Sequence, residues 1–161
     1  LLAAGYVFRE CLRISGCDGK GVTENLPEAV KWFTKAAEQE NAKAQYNLGE
    51  CYYYGYGVYQ NYGKAEKWYT KAAEQGYAEA QNSLGYYYKE NHNPKKAVEW
   101  YTKAAEQGLP VAQCNLGVRY ENGDGVEKNL EEAVKWYTKA ANQGYARAQY
   151  YLAYLYKPFP F

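Results

Sequence analysis

A hydrolytic triad needs a nucleophile, a base and an orienting group within hydrogen-bond reach, and a chain with one histidine, His92, has one chance to build it. His92 lies in Lys89-Glu90-Asn91-His92-Asn93-Pro94, where no neighbouring Cys or Ser completes such a set, so it reads as a surface loop residue. Four cysteines, Cys11, Cys17, Cys51 and Cys114, form no CxxC pair and no recurring spacing, which points away from zinc and from a regular disulfide framework. Cys11 and Cys17 are close enough in sequence for a local bridge in an oxidising compartment; Cys51 and Cys114 are expected to lie beyond the about 7 Å that a bridge spans. Glu38, Glu74, Glu106 and the Glu131-Glu132 pair fall in a repeated helical pattern and do not form a catalytic pair. Gly-x-Gly occurs at Gly19, Gly55 and Gly123 without a strand before it, so it reads as a turn and not as a phosphate loop. No catalytic residue, cofactor or metal is expected.

The elements that carry these residues must fit one architecture of 161 residues and 18.4 kDa. Nineteen Lys and Arg face eighteen Asp and Glu, and a net charge of +1 gives no general pull toward nucleic acid or anionic membrane. A mean hydropathy of -0.73 and the lack of any long uninterrupted apolar stretch exclude membrane insertion by a helix. The chain has no Met and opens Leu1-Leu2-Ala3-Ala4-Gly5, too short and without the basic start of a signal peptide, so it is taken as a mature form or an excised piece. A soluble cytoplasmic protein is favoured, with secretion or the periplasm left open. Tyrosine is in surplus at 21.

Self-comparison decides the fold. Trp32-Phe33-Thr34-Lys35-Ala36-Ala37-Glu38-Gln39 returns almost unchanged from Trp68, Trp100 and Trp136, at spacings of 36, 32 and 36. A second word, Ala44-Gln45-Tyr46-Asn47-Leu48-Gly49, returns from Ala80, Ala112 and Ala148 in step with the first. Each unit reads as two antiparallel helices. In one second helix Ala65, Trp68, Tyr69, Ala72 and Ala73 make a single apolar stripe at the helical period. Asn25, Asn61, Asn93 and Asn129 mark the starts of these helices and Pro94 fits a first helical position. Gly76, Gly108 and Gly144 mark their ends, while Glu40 stands at the first and predicts a differently built junction. A glycine inside a helix costs about 1 kcal/mol relative to alanine, so Gly49, Gly85 and Gly117 are expected where a neighbouring helix comes close. The third unit lacks the Gly-x-Gly turn and is four residues shorter.

The words Ala-x-Ala-Gln-x-x-Leu-Gly-x-x-Tyr, Gly-x-Gly-Val and Lys-Ala-x-x-Trp-Tyr-x-Lys-Ala-Ala-Glu-Gln-Gly resemble the Sel-one-like repeat (SLR), a relative of the tetratricopeptide repeat, over roughly residues 19 to 157. The resemblance implies an all-α fold: a right-handed alpha-alpha superhelix, or solenoid, of antiparallel helix pairs with about four repeats plus a terminal helix. A single domain over 1–161 is expected, with repeats at about 1–41, 42–77, 78–109 and 110–145, a partial repeat at 146–157 and a tail at 158–161. Arg13 and Gly16 depart from the pattern, so residues 1–18 read as a degenerate or capping helix.

What the resemblance implies for function is a bacterial scaffold or adaptor that receives a protein or peptide on a concave face lined by the first helices. Carried over from the tetratricopeptide groove, the partner-binding positions are Lys43, Tyr46, Glu50 and Tyr53 in the second unit and Asn82, Tyr86 and Lys89 in the third. They continue as Cys114, Val118 and Glu121 in the fourth and Arg147, Tyr150 and Tyr154 in the last. Tyr52, Tyr69, Tyr88, Tyr101, Tyr120 and Tyr137 recur and are expected to pack; Tyr53, Tyr86 and Tyr154 do not recur and are divided between packing and binding. Charge reversal at Glu50 with Lys89 is expected to weaken partner binding without unfolding. Other readings are a weak hydrolase of the beta-lactamase-like kind claimed for cysteine-rich SLR proteins, and a purely structural spacer. The helix Tyr150-Tyr151-Leu152-Ala153-Tyr154-Leu155-Tyr156 is apolar on nearly every side, which predicts self-association or a further repeat against it.

Overall fold

The computed structural model describes residues 25–157. Cys11, Arg13, Gly16, Cys17, the first Gly-x-Gly turn, the expected helix over 1–18 and the tail at 158–161 lie outside the described residues. Eight helices and no strand occur among the described residues: α1 (Leu26–Glu38), α2 (Ala42–Tyr54), α3 (Tyr62–Glu74), α4 (Ala78–Glu90), α5 (Pro94–Glu106), α6 (Pro110–Asn122), α7 (Leu130–Asn142) and α8 (Ala146–Tyr156). They fall into two compact units that divide between Gln75 and Gly76. The first holds α1 to α3 and the second α4 to α8, and within each unit every helix packs on the next in sequence.

The second helices begin as their asparagines require. The side chains of Asn25, Asn61, Asn93 and Asn129 accept from the amides of Glu28, Lys64, Lys96 and Glu132 at 3.1, 2.9, 3.2 and 3.1 Å, which satisfies one orphan donor of each first turn. The far ends of α5 and α7 close in Schellman motifs. After α5 the Gly108 amide donates to Ala105 and the Leu109 amide to Ala104; after α7 Gly144 and Tyr145 repeat the pattern onto Ala141 and Ala140. Gly76, Gly108 and Gly144 all have left-handed φ, at 88°, 92° and 81°.

The first junction corrects the expectation of a different design. Glu40 adopts φ 63° and the same two bonds form, from Glu40 to Ala37 and from Asn41 to Ala36. A left-handed non-glycine residue costs about 1 kcal/mol or more, and here Asn41 offsets it by capping α2 through a 2.9 Å bond from the Ala44 amide. Helices α4, α6 and α8 start without a side-chain cap.

The same motif explains the shortened turn. His92 takes the left-handed position at φ 55°, its amide donates to Lys89 and that of Asn93 to Tyr88. Asn93 then caps α5 at once, so one residue ends the turn and starts the helix. In the two longer turns the equivalent asparagine amides are held by the equivalent tyrosines, Asn61 by Tyr52 at 2.8 Å and Asn129 by Tyr120 at 2.9 Å. Deleting four residues removes the Gly-x-Gly excursion and keeps the tether.

Packing follows the repeat. A Cβ on Gly49 would sit 2.5 Å from Tyr69 Cδ1, one on Gly85 2.5 Å from Tyr101 Cδ1, and one on Gly117 2.6 Å from Tyr137 Cε1. The three glycines are therefore the seats of three tyrosine rings, which are almost fully buried. In the first unit Val30, Ala37, Ala44, Leu48 and Cys51 form the core, with Trp68 packed against it; in the second, Trp136 packs with Tyr101, Ala104, Ala105 and Leu116. Lysines three residues on lie over Trp32, Trp68, Trp100 and Trp136 at 4.3, 4.7, 4.1 and 3.9 Å from the ring centres.

The glutamines that recur in both words are polar rungs between helices. In the first unit Gln45 Nε2 donates to the Ala37 carbonyl at 3.1 Å while its Oε1 accepts from Gln75 Nε2 at 2.7 Å. In the second, Gln113 repeats this with Ala105 at 3.2 Å and Gln143 at 2.9 Å. Gln45 and Gln113 are buried, their partners Gln75 and Gln143 exposed, and a buried amide left unpaired would cost about 1–3 kcal/mol.

Candidate partner-binding site

The first helices present the predicted groove residues, but not all of them at a surface. In the first unit Lys43 is exposed and Tyr46 and Tyr53 are half-buried, whereas Glu50 retains only 5% of its surface. Glu50 follows Gly49, and the ring that fills the space over that glycine brings its hydroxyl onto the carboxylate: Tyr69 Oη donates to Glu50 Oε1 at 2.5 Å. Burial pushes the Glu50 carboxyl up to about 7, against the opposing effect of the Tyr69 bond. Tyr69 is pushed well above the ordinary phenol range by burial and by the neighbouring Glu50. Glu50 is thus corrected from a surface charge to a buried acid. The expectation that reversing its charge with that of Lys89 leaves the fold intact is corrected with it, since a cation there would lose the Tyr69 donor bond and be buried without a partner.

Around that acid stands a group of rings. Tyr46 and Tyr53 precede and follow Glu50 by about one turn, with centroids 6.0 and 6.3 Å from Tyr69, and Tyr62 lies 5.1 Å from Tyr53. Sequence reasoning placed Tyr69 in the packing set alone and did not single out Tyr62. Tyr69 does pack, and it also reaches the groove side through its hydroxyl.

In the second unit Asn82, Val118 and Glu121 are half-buried and Tyr86 and Lys89 exposed. Asn82 accepts from Asn115 Nδ2 at 3.0 Å, Lys89 lies 4.9 Å from the Tyr86 ring centre and 2.6 Å from Glu90 Oε1, and Glu121 accepts from Tyr137 Oη at 2.6 Å. Cys114 is corrected as well: it is fully buried with Ala133, Tyr137, Ala140 and Ala148, and desolvation pushes its thiol up to about 11. On α8, Arg147 donates from Nε to Tyr151 Oη at 3.1 Å, and Tyr150 and Tyr154 are each 66% exposed.

The six tyrosines expected to pack are buried or half-buried, and the three left between packing and binding are split. Tyr69, Tyr101 and Tyr137 are at most 2% exposed, and Tyr52, Tyr88 and Tyr120 pack half-buried against the cores. Of the three that do not recur, Tyr86 and Tyr154 are exposed and Tyr53 is half-buried. His92 is exposed, Cys51 and Cys114 are buried, and no group of His, Cys, Asp or Glu that would hold a metal occurs among the described residues. None of the described helices is long and apolar enough to cross a membrane.

The Sel1 repeat family model matches the chain five times in succession, at residues 14–41, 42–77, 78–109, 110–145 and 146–158. Among solved structures, a Sel1 repeat protein from Oxalobacter formigenes is 44% identical with a TM-score of 0.79, over 84% of this chain and 56% of that one. A protective antigen present in uropathogenic Escherichia coli strains, displaying an SLR fold, is 40% identical with a TM-score of 0.80, over 84% of this chain and 30% of its own. Cysteine rich protein B of Helicobacter pylori is 27% identical with a TM-score of 0.63, over 83% of this chain and 99% of its own. No curated protein sequence matches significantly. This chain therefore spans about half of the first of these relatives and less of the second. Sel1 repeats are generally protein–protein interaction modules and typically non-catalytic. With its helix pairs, its glycine-seated tyrosines and five contiguous repeat matches, the chain belongs to the Sel1 repeat family.

Proposed function

We propose that the chain is a scaffold or adaptor that holds a protein or peptide partner against the faces of its first helices and carries out no chemistry of its own. The observation that supports this most is that Tyr86, Lys89, Arg147, Tyr150 and Tyr154 of those helices stand exposed, whereas the tyrosines that hold the hairpins together, Tyr69, Tyr101 and Tyr137, are buried. Tyrosine supplies rigid amphipathic contact area at low entropic cost, which suits a binding surface. The test is affinity selection of displayed random peptides on the full chain, followed by titration of the selected peptides with the wild type and a Tyr53→Ser, Tyr86→Ser, Tyr154→Ser variant. Selected peptides that lose at least tenfold in affinity for a variant of unchanged thermal stability support the reading; unchanged affinity for that variant, or selection of no peptide at all, removes it.

The α8 helix supports a second contact. Tyr150, Tyr154 and Tyr156 are 66%, 66% and 71% exposed on one short helix, and a chain of net charge +1 has little self-repulsion to prevent a second copy from covering them. Sedimentation that gives a monomer over the whole accessible concentration range, with α8 helical, counts against self-association.

A further inference from the structure

The surplus of tyrosine builds one arrangement twice, from positions that are not equivalent in the repeat. In the first unit the buried Tyr69 donates from Oη to Glu50 Oε1 at 2.5 Å; its ring centre lies 6.3 Å from that of Tyr53, which lies 5.1 Å from that of the exposed Tyr62. In the second unit the buried Tyr137 donates to Glu121 Oε2 at 2.6 Å; its ring centre lies 5.2 Å from that of Tyr151, which lies 5.9 Å from that of the exposed Tyr150. Each unit thus runs a line of three neighbouring rings from solvent to a buried phenol whose hydroxyl ends on a carboxylate. The parts differ in origin. Glu50 directly follows the seat Gly49, whereas Glu121 stands a full turn beyond the seat Gly117; the middle ring comes from α2 in one unit and from α8 in the other. Packing alone needs only the ring over the glycine, since Tyr101 fills the seat at Gly85 with no carboxylate bond among the described residues.

We propose that the two lines are charge relays: they carry an oxidising equivalent from a one-electron oxidant at the surface, such as an organic peroxyl radical, to Tyr69 and Tyr137, whose phenolic protons pass to Glu50 and Glu121. A phenol buried this deeply does not give up an electron alone, because an unpaired cation would be left in a poorly solvated site. A carboxylate already bonded to the hydroxyl removes that obstacle, since it takes the proton as the electron leaves and is within reach to do so. Hydroxyl-to-carboxylate bonds of about 2.5–2.7 Å are of the short, charge-assisted kind, and both bonds fall in that range. In the second line Arg147 donates from Nε to Tyr151 Oη at 3.1 Å, and a cation there keeps positive charge from resting on the middle ring.

The exposed Tyr62 hydroxyl gives a hydrogen atom to the peroxyl radical, which becomes a hydroperoxide. The Tyr62 phenoxyl then takes an electron from Tyr69 by way of Tyr53, and a proton from solvent, which restores its O–H bond. The Tyr69 O–H bond breaks as its proton moves to Glu50 Oε1, which leaves a buried phenoxyl radical beside a neutral carboxyl. Tyr150, Tyr151, Tyr137 and Glu121 Oε2 repeat these steps in the second unit. The oxidant comes from outside and no substrate is turned over, so the relay is compatible with the scaffold reading and does not depend on it.

The experiment oxidises the full chain at pH 8, where a Glu50 carboxyl pushed up to about 7 by burial is mostly ionised. Flash-generated ruthenium(III) tris-bipyridine, too bulky to touch a buried ring, is the oxidant, and phenoxyl absorption and electron paramagnetic resonance are followed. The wild type should hold a phenoxyl signal at least fivefold longer than a Tyr69→Phe, Tyr137→Phe variant, and Tyr101→Phe should match the wild type. Tyr53→Phe with Tyr151→Phe keeps both middle rings but breaks the lines, and should cut the yield of the long-lived signal at least threefold. In heavy water the long-lived radical should couple strongly to one exchangeable deuteron, and in a Tyr137→Phe background Glu50→Gln should abolish that radical. Circular dichroism melting checks that each variant is folded; should one not be, the deuteron coupling in the wild type decides. A signal equally brief in the wild type and the Tyr69→Phe, Tyr137→Phe variant, an unchanged yield after the middle rings are replaced, or a radical without the deuteron coupling overturns the relay and leaves the scaffold reading untouched.

Discussion

The Tyr69 hydroxyl and the Glu50 carboxyl meet at 2.5 Å across the α2–α3 hairpin, on the side of α2 where Gly49 admits the ring. In the folded chain Glu50 is a weaker acid, moved from 4.5 to about 7 by burial, so between those values the native state holds a proton that the unfolded state has released. Its contribution to stability is therefore complete below about pH 4.5 and is lost as pH rises through about 7, a change on the order of 3 kcal/mol. Urea midpoints measured from pH 4 to pH 8 should fall over this window in the wild type and lose that fall in Glu50→Gln. Parallel curves for the two proteins would remove Glu50 as the source.

Two kinds of glycine should answer differently to alanine. At Gly85 the added methyl group meets the Tyr101 ring at 2.5 Å inside the core, and overpacking there is expected to cost about 1–3 kcal/mol with altered ring packing visible in near-ultraviolet circular dichroism. At Gly108 nothing lies within 4 Å, so Gly108→Ala pays only for its φ of 92°, about 1 kcal/mol, with the aromatic signal unchanged. Equal spectra for the two variants would contradict the close approach.

Asn129→Ala should destabilise by about 1 kcal/mol through loss of the bond from the Glu132 amide. The drop in thermal midpoint should be recovered in part by Asn129→Asp, which keeps the acceptor and places a negative charge at the start of α7.

Cys51 and Cys114 are buried, and the Cys114 thiol is pushed up to about 11 by desolvation. Iodoacetamide at pH 8 should leave the peptides that carry them unlabelled in the native protein and label them fully in guanidinium, as read by mass spectrometry. Rapid native labelling of Cys114 would mean that the α6–α7 packing opens readily.

Much of the architecture was legible because each device that builds a helix pair is local and repeats. The asparagine caps, the terminal glycines and the glycine seats all lie where the recurring words place them. What stayed hidden depends on partners distant in sequence. The glutamine rungs join residues 30 positions apart, and nothing in Gln45 alone announces Gln75. Treating every groove position alike put Glu50 and Cys114 at the surface, yet position along a helix does not reveal that Tyr69 crosses over one and that α7 and α8 enclose the other. Glu40 was read from residue type as an exception, whereas the Schellman geometry accepts it once Asn41 caps the next helix.

The Asn93 to Tyr88 tether has an engineering corollary. Since the α4–α5 hairpin closes on the same backbone bond as its longer counterparts, the length of the excursion between first and second helix does not set that closure, even though the longer excursions pack, through Tyr56 and Val58 on the core and at Gly125 against the Pro94 backbone. Residues 90–92, ahead of the Asn93 tether, are therefore a splice point: a reporter epitope, or the four-residue excursion borrowed from 123–126, could be grafted there while the hairpin around it keeps its alignment.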